Sequence, residues 1–476
     1  MSFSSIFRSF IQFDQQKITL FHNDNNVPNS RFFKILSIFA SIIPTNFKAK
    51  HIFLIPLFII LQTTFYMIYL SRTEQLMQDR NKFVTDHIDL DNAVHWGDYR
   101  VAAFYQNSTL QANNLIQEKD ITLISQCSVD NLHYLINTAE RWRGPIAIAV
   151  FAPMNDAILS VYAIDALRRC YPMIRELVTF HLVYPSIKYP EYLEDPPDGL
   201  ISTECQEVTE TLQNMGRTNY ENIGGILYPH NVLRNVARYK METELIFLID
   251  IDTLPTLNAR DLFLQFANEA DMWGENKELL EKTVYITPAW EVPNGVDVPN
   301  DKEELLELLE HERTRPFHNE TCWYCHKTTR YEDWVQIPMT TKLAIAYEVD
   351  WEKSWEPYYI SRKDIPMHDE RFKQYGYDRI SQICELYMAD YKFFVLDNLF
   401  TVHQGYKMLA DVSLSRNLEN RKNFLLFEER FQPEMTLKYP NSNKTCVQKE
   451  TWRDAKQVVV HNIEALMKQR HKKNIV

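Results

Sequence analysis

Hydrophobic and polar positions divide this chain into four stretches. Residues 1–51 read as a polar tail. Ile52 to Leu70 then run for nineteen positions without a charge, enough as a helix to cross roughly 30 Å of hydrocarbon. The pattern predicts a single membrane span over 52–70. A cleaved signal peptide fits less well, because far more residues precede the apolar run than a charged n-region needs. Residues 71–119 are charged and rich in Gln and Asn without firm periodicity, and predict a stem. From Asp120 onward, over 120–476, the pattern becomes that of a globular domain.

Within that domain the short apolar runs Ile121–Ser125 and Ile146–Phe151 predict buried strands, and Asp130–Arg141 between them predicts a helix. Strand, helix and strand connected at this length predict a parallel sheet and an α/β fold. Ile158–Tyr171 continues the pattern as a helix, Leu177–Val183 as a strand, Val232–Lys240 as a helix and Leu245–Asp250 as a further central strand. Asp301–Arg313 surrounds Leu305, Leu306, Leu308 and Leu309 with charges and predicts an amphipathic surface helix without chemistry.

The ten residues from Leu245 to Leu254, closed by Pro255, place Asp250 and Asp252 at the end of an otherwise apolar strand. Side chains alternate across a strand, so the two carboxylates share one face while Ile249 and Ile251 take the other. Side by side at the rim of a buried sheet they repel each other and lose solvation, unless a divalent ion such as Mg²⁺ or Mn²⁺ binds them through hard oxygen ligands. Ligands of open α/β sheets gather at the carboxyl ends of the strands, where this pair sits. Taken alone, the triplet fits a solvated strand end as well as a metal site.

Composition narrows the classes. With 476 residues and 45% hydrophobic content the chain can bury a large core. A net charge of -12 and a pI near 5.7 argue against nucleic acid as a partner. Ten glycines and no Gly-rich phosphate loop disfavour kinase, P-loop and dinucleotide-binding readings. All seven cysteines follow the apolar span; in an oxidising compartment several should pair, and an odd number leaves at least one unpaired within the chain. Cys322-Trp-Tyr-Cys325 followed by His326 has the look of a zinc site. Without a second Cys-x-x-Cys or a His-x₃-His, disulfides are favoured. Asn-x-Ser/Thr sequons at Asn107, Asn319 and Asn443 also follow the span, as glycosylation sites of a lumenal portion would.

Several longer motifs around Asp250 resemble the glycosyltransferase family that contains β-1,4-glucuronyltransferase 1 and the C-terminal catalytic domain of LARGE. Tyr228-Pro-His-Asn-Val-Leu-Arg-Asn-Val-Ala-Arg238 is similar to a family segment that precedes the metal strand. Arg315-Pro-Phe, the Cys322/Cys325 pair, Trp334-Val, Trp355-Glu-Pro-Tyr-Tyr359, Asp369-Glu-Arg-Phe-Lys-Gln-Tyr-Gly376, Arg379-Ile-Ser-Gln382 and Val402-His-Gln-Gly405 continue the resemblance over approximately 120–440. It is stronger toward the glucuronyltransferase than toward LARGE.

The resemblance implies a glycosyltransferase-A fold, a Rossmann-like and mainly parallel sheet, in a lumenal domain behind one transmembrane signal anchor of a type II Golgi protein. It implies Mn²⁺ on Asp250, Asp252 and His403, a ligand set whose imidazole suits Mn²⁺ better than Mg²⁺ or Ca²⁺. It implies a UDP-sugar donor, UDP-glucuronate above all, contacted by Asn231, Arg234, Asn235 and Arg379, the last offering a guanidinium to the donor carboxylate. Inverting transfer to xylose on the glycan of a glycoprotein needs one base for the acceptor hydroxyl, expected at Asp369 with Glu370 as the alternative. UDP-GlcNAc or UDP-xylose as donor, or an inactive homologue acting as a scaffold, are the competing expectations.

Overall fold

The structure, a computed structural model, describes residues 63–64, 66–72, 75, 93–153, 156–186, 196–216, 226–409 and 414–446. It separates into two compact units, Met1–Gln78 and Asp79–Val476. Of the first, the described residues are helical and exposed. The tail expected over 1–51 and most of the span expected over 52–70 lie outside the described residues, among which no helix is long and apolar enough to cross a membrane.

The second unit is built on a ten-stranded sheet. Its strands in chain order are β1 (Val94–Trp96), β2 (Tyr99–Gln106), β3 (Ile121–Ser128), β4 (Ile146–Phe151), β5 (Val178–Pro185), β6 (Leu245–Leu248), β8 (Thr283–Thr287), β11 (Ile345–Val349), β12 (Tyr358–Arg362) and β13 (Lys392–Leu396). A second, four-stranded sheet contains β7 (Thr253–Pro255), β9 (Ala289–Val292), β10 (Arg315–Pro316) and β14 (Thr401–Gln404).

The large sheet is ordered β1-β2-β5-β4-β3-β6-β12-β8-β13-β11. Its centre, β5-β4-β3-β6, is parallel. These strands are apolar because both faces are covered. On one face Leu123, Ile148 and Phe247 pack with Leu135, Trp142, Ile164 and Phe263. On the other, Ile124, Ala149 and Leu248 pack with Val232, Leu233, Val236 and Ile383. The predicted helices therefore appear as layers on both sides: Leu135–Trp142, preceded by a 3₁₀ turn Val129–Tyr134, and Asp156–Cys170 and His230–Ala237. Asp301 caps the predicted surface helix, Lys302–Glu310, by accepting from Glu304 N–H.

Three expectations change. The sheet is mixed and not mainly parallel, because β12 inserts antiparallel between β6 and β8, while β2 and β11 add antiparallel margins. Part of the segment expected as stem, 71–119, supplies β1 and β2 at one edge. The strand expected over Leu245–Asp250, with Asp250 and Asp252 at its end, is shorter: β6 ends at Leu248, a turn closed by Thr253 N–H donating to the Asp250 carbonyl follows, and β7 pairs with β14 in the second sheet.

The chain steps from β3 to β4 to β5 in one direction and returns to place β6 on the other side of β3. That reversal opens a crevice at the carboxyl ends of β3 and β6, the ligand position of open α/β sheets. Asp250 and Asp252 lie in the turn that leaves it.

Disulfides join Cys170 to Cys205, Cys322 to Cys325 and Cys384 to Cys446, and leave Cys127 buried and unpaired. The preference for disulfides over zinc agrees with this pairing. The three sequon asparagines, Asn107, Asn319 and Asn443, are exposed.

Candidate active site

Register between the two small-sheet strands brings the first part of the site together. His403 on β14 pairs across from Thr253 on β7, one residue past Asp252, and His403 Nε2 stands 3.2 Å from Asp252 Oδ2. The opposite ring nitrogen, Nδ1, is 2.7 Å from the carbonyl oxygen of Gly405. A carbonyl only accepts, so Nδ1 carries a proton, and Nε2 is the ring atom turned toward the carboxylate. Gly405 permits this contact: its φ of +100 bends the chain back under the ring, and a Cβ there would meet Asn294 Oδ1 at 2.9 Å.

An imidazole nitrogen beside a carboxylate oxygen is a donor pair that a divalent cation can bridge when the nitrogen offers its lone pair. Two ligand atoms at right angles on an ion with bonds of about 2.1 Å stand about 3 Å apart, which the Asp252–His403 separation matches. Lys407 Nζ lies 3.4 Å from the same Asp252 oxygen. Burial works to raise the Asp252 carboxyl, but the hydrogen bond with His403 and the Lys407 charge outweigh it and hold the group well below the usual carboxylate range. Fully buried Glu291 fixes the surrounding loops, accepting from Arg315 Nε at 2.5 Å and from the backbone N–H groups of Lys407 and His318 at 3.2 and 3.4 Å.

Asp250 faces the other way. Its Oδ1 meets Arg234 Nη2 at 3.3 Å; its Oδ2 accepts from Tyr358 at 3.0 Å and lies 3.2 Å from Arg379 Nη2. Burial raises its carboxyl as well, and the Arg379 and Arg234 charges bring the net shift below the ordinary value. Arg234, on helix His230–Ala237, also donates to Asp378 at 2.6 Å and to Asn231 Oδ1 at 2.9 Å. Of the three expected metal ligands, then, Asp252 and His403 meet directly while Asp250 is committed to two arginines. Among the described residues no three His, Cys, Asp or Glu side chains converge as a metal site. The pair that does meet has donor types that fit Mn²⁺.

Arg379 is the unusual member. Its side chain is 9% exposed, and among the described residues Nε and Nη1 are buried without a hydrogen-bond partner. Nη2 is engaged by Asp250 and, at 3.7 Å, by Glu356. The guanidinium stacks 4.6 Å from the Tyr358 ring centre.

The remaining expected residues have other neighbours. Asn231 Nδ2 donates to the carbonyls of Asp369 and Asp378 at 2.8 and 3.0 Å. Asn235 donates to the His368 carbonyl and to Glu370, and accepts from His368 N–H. Both asparagines are fully buried and clamp the 368–378 segment against the helix. Asp369 is bracketed by Arg371, whose Nε is 3.0 Å from both carboxylate oxygens, and Arg371 is held in turn by Glu434. Glu370 accepts from Trp96 Nε1 at 2.7 Å and so ties edge strand β1 to the site segment.

Sequence reasoning passed over Lys407, Tyr358, Asp378 and Glu356. Glu356 and Tyr358 belong to the Trp355–Tyr359 motif and Asp378 precedes Arg379, so the signal was in blocks already singled out, without a role attached.

The description "Glycosyl-transferase for dystroglycan" matches this chain over residues 120–440. β-1,4-Glucuronyltransferase 1 of Homo sapiens is 35% identical over 356 residues, covering 74% of this chain and 82% of that one. The same protein of Danio rerio is 35% identical over 334 residues, covering 68% and 75%. Xylosyl- and glucuronyltransferase LARGE1 of Homo sapiens is 27% identical over 322 residues, 67% of this chain but 36% of its own length. The match spans the strand that leads to Asp250, the helix that carries Arg234 and the strand that carries His403, and the chain belongs to this family of glycosyltransferases.

Proposed function

We propose that this chain is an inverting, Mn²⁺-dependent transferase that moves glucuronate from UDP-glucuronate to xylose on a glycan, as a single-pass type II protein with its catalytic unit in the Golgi lumen. The observation that carries the donor assignment is Arg379, a buried guanidinium beside the Asp250 turn whose Nε and Nη1 have no hydrogen-bond partner among the described residues. Buried donors without acceptors are costly, and a planar guanidinium matches a carboxylate bidentately. A glucuronate carboxylate supplies the acceptor, and the 35% identical relatives, β-1,4-glucuronyltransferases, favour the same sugar.

Asp252 and His403, with Asp250 beside them, would hold the metal, which when bound offsets charge on the departing UDP diphosphate. Lys407 adds a fixed positive charge on the same side. Arg234 keeps Asp250 oriented, while Asn231 and Asn235 hold the 368–378 segment in register. Inversion requires a base for the acceptor hydroxyl.

Exchanging Arg379 for Lys keeps the charge and removes the fork. In Arg379→Lys the preference for UDP-glucuronate over UDP-glucose, measured as the ratio of kcat/KM values, should fall roughly 10- to 100-fold. An unchanged ratio removes Arg379 from donor selection.

A further inference from the structure

Among the described residues, the Glu356 carboxyl has no hydrogen-bond donor. It enters the site between fully buried Trp355 and Pro357, just ahead of β12, with its side chain 13% exposed. Among the described residues, the nearest charged nitrogen is Arg379 Nη2 at 3.7 Å, beyond hydrogen-bond distance. The Cys325 Sγ, at 3.9 Å, is tied up in the Cys322–Cys325 disulfide and has no proton to give. Burial pushes the carboxyl up to about 7; the Arg379 and Arg234 charges oppose this and those of Asp378 and Asp250 add to it. Asp369 differs, because Arg371 brackets its oxygens and leaves little lone-pair capacity for a substrate.

Two exposed aromatic residues lie in the neighbourhood of Glu356: Tyr324 precedes Cys325, whose carbonyl accepts from Glu356 N–H at 2.9 Å, and Tyr375 is within electrostatic range. Tyr324, in the loop closed by Cys322–Cys325, is 43% exposed, and Tyr375, in the loop after Asp369, is 36% exposed. Burial and the Glu356 charge raise both phenols, and Tyr324 further raises Tyr375, so all three groups share one electrostatic neighbourhood. The Tyr375 loop is held in shape by Asn423, which donates to the carbonyls of Lys373, Tyr375 and Gly376 at 2.9–3.1 Å. The Arg416 guanidinium lies 5.5 Å from the Tyr375 ring centre. Aromatic rings with a polar tip, fixed at the rim of a polar site, suit a pyranose, which offers an apolar C–H face and peripheral hydroxyls.

We propose that Glu356 takes the proton of the acceptor hydroxyl and that Tyr324 and Tyr375 seat the acceptor sugar above it. This assignment rests on the transferase reading. The acceptor O–H bond breaks toward a Glu356 oxygen as the acceptor oxygen bonds to the anomeric carbon. The bond from that carbon to the diphosphate oxygen breaks with its electron pair leaving on UDP, and Glu356 later releases the proton to water. A base must be ionised to act, so turnover should rise as pH climbs through about 7.

The test compares the full chain in detergent with Glu356→Gln and Asp369→Asn, measuring kcat at saturating substrates, its pH profile, and the Kd for UDP with Mn²⁺. Glu356→Gln should lower kcat by a factor on the order of 10² to 10⁴ with the Kd for UDP within about threefold of wild type. The wild-type acidic limb should be absent from its residual activity. Glu356→Asp should recover part of the rate and keep that limb. Tyr324→Ala and Tyr375→Ala should each raise the acceptor KM about tenfold with little change in donor KM. Wild-type-like kcat in Glu356→Gln overturns the assignment, as does loss of UDP binding there, which marks a structural role. A larger kcat loss in Asp369→Asn, with UDP binding intact, returns the role to Asp369. A wild type that transfers from no UDP-sugar overturns the transferase reading and this assignment together.

Discussion

His403→Ala is the substitution that most cleanly separates metal ligation from packing. The imidazole is 8% exposed, its Nδ1 is fixed by the Gly405 carbonyl, and its Nε2 stands 3.2 Å from Asp252. Removing it deletes the nitrogen proposed as a metal ligand and leaves Lys407, 3.4 Å from the same oxygen, as the cation beside Asp252. Loss of groups that merely orient metal ligands costs about 10- to 100-fold in affinity, and loss of a direct ligand should cost at least that, about 1.4–2.7 kcal/mol. Packing losses are separable: the ring lies 5.4 Å from that of Phe317, and truncation there should cost on the order of 1–3 kcal/mol of fold stability whether or not metal is present. The assay is a Mn²⁺ titration of turnover beside calorimetric Mn²⁺ binding in the presence of UDP, with thermal unfolding of the metal-free protein as control. The Mn²⁺ midpoint should move at least tenfold, with turnover partly restored at high Mn²⁺. An unchanged midpoint in a folded variant would falsify ligation by His403.

The two acidic residues should part company when neutralised. Asp252→Asn should abolish Mn²⁺-dependent turnover while leaving the unfolding temperature nearly unchanged, because its side chain is 32% exposed and its partners are His403 and Lys407. Asp250→Asn should also abolish turnover and in addition destabilise the fold by about 3–5 kcal/mol, since it leaves the buried Arg234 and Arg379 short of a counter-charge; equal unfolding temperatures for the two variants would refute that distinction.

How far the sequence reveals the site depends on what each residue's neighbours are. Ile121–Ser125, the first part of β3, and Ile146–Phe151 were legible as strands because both of their faces are buried, so a local apolar run carries the signal. The break after Leu248 was not, because Ile249 and Ile251 continue the apolar alternation while pairing of Thr253–Pro255 with Thr401–Gln404 pulls the chain into another sheet. That pairing joins segments about 150 residues apart in sequence, as the Asp252–His403 contact illustrates. Asn231 and Asn235 stand in a motif around Arg234, yet only the folded 368–378 segment shows that their amides are already satisfied. Tyr99–Gln106 carries the apolar run Val101–Tyr105 inside a charged stretch read as stem, and its pairing with Val178–Pro185 shows it to be an edge-side strand of the sheet. Lys407 and Glu356 look like ordinary charged residues until their distances to Asp252 and Arg379 are known.

The central claim is that this site transfers glucuronate, and a panel of donors tests it most directly. The full chain in detergent, with Mn²⁺ and a β-xyloside acceptor, is offered UDP-glucuronate, UDP-glucose, UDP-GlcNAc and UDP-xylose in separate reactions, and product is identified by mass. The account predicts a glucuronylated xyloside whose formation requires Mn²⁺ and falls away in Asp252→Asn. Preferential transfer from UDP-GlcNAc or UDP-xylose, or product formed equally well after chelation of divalent ions, contradicts it.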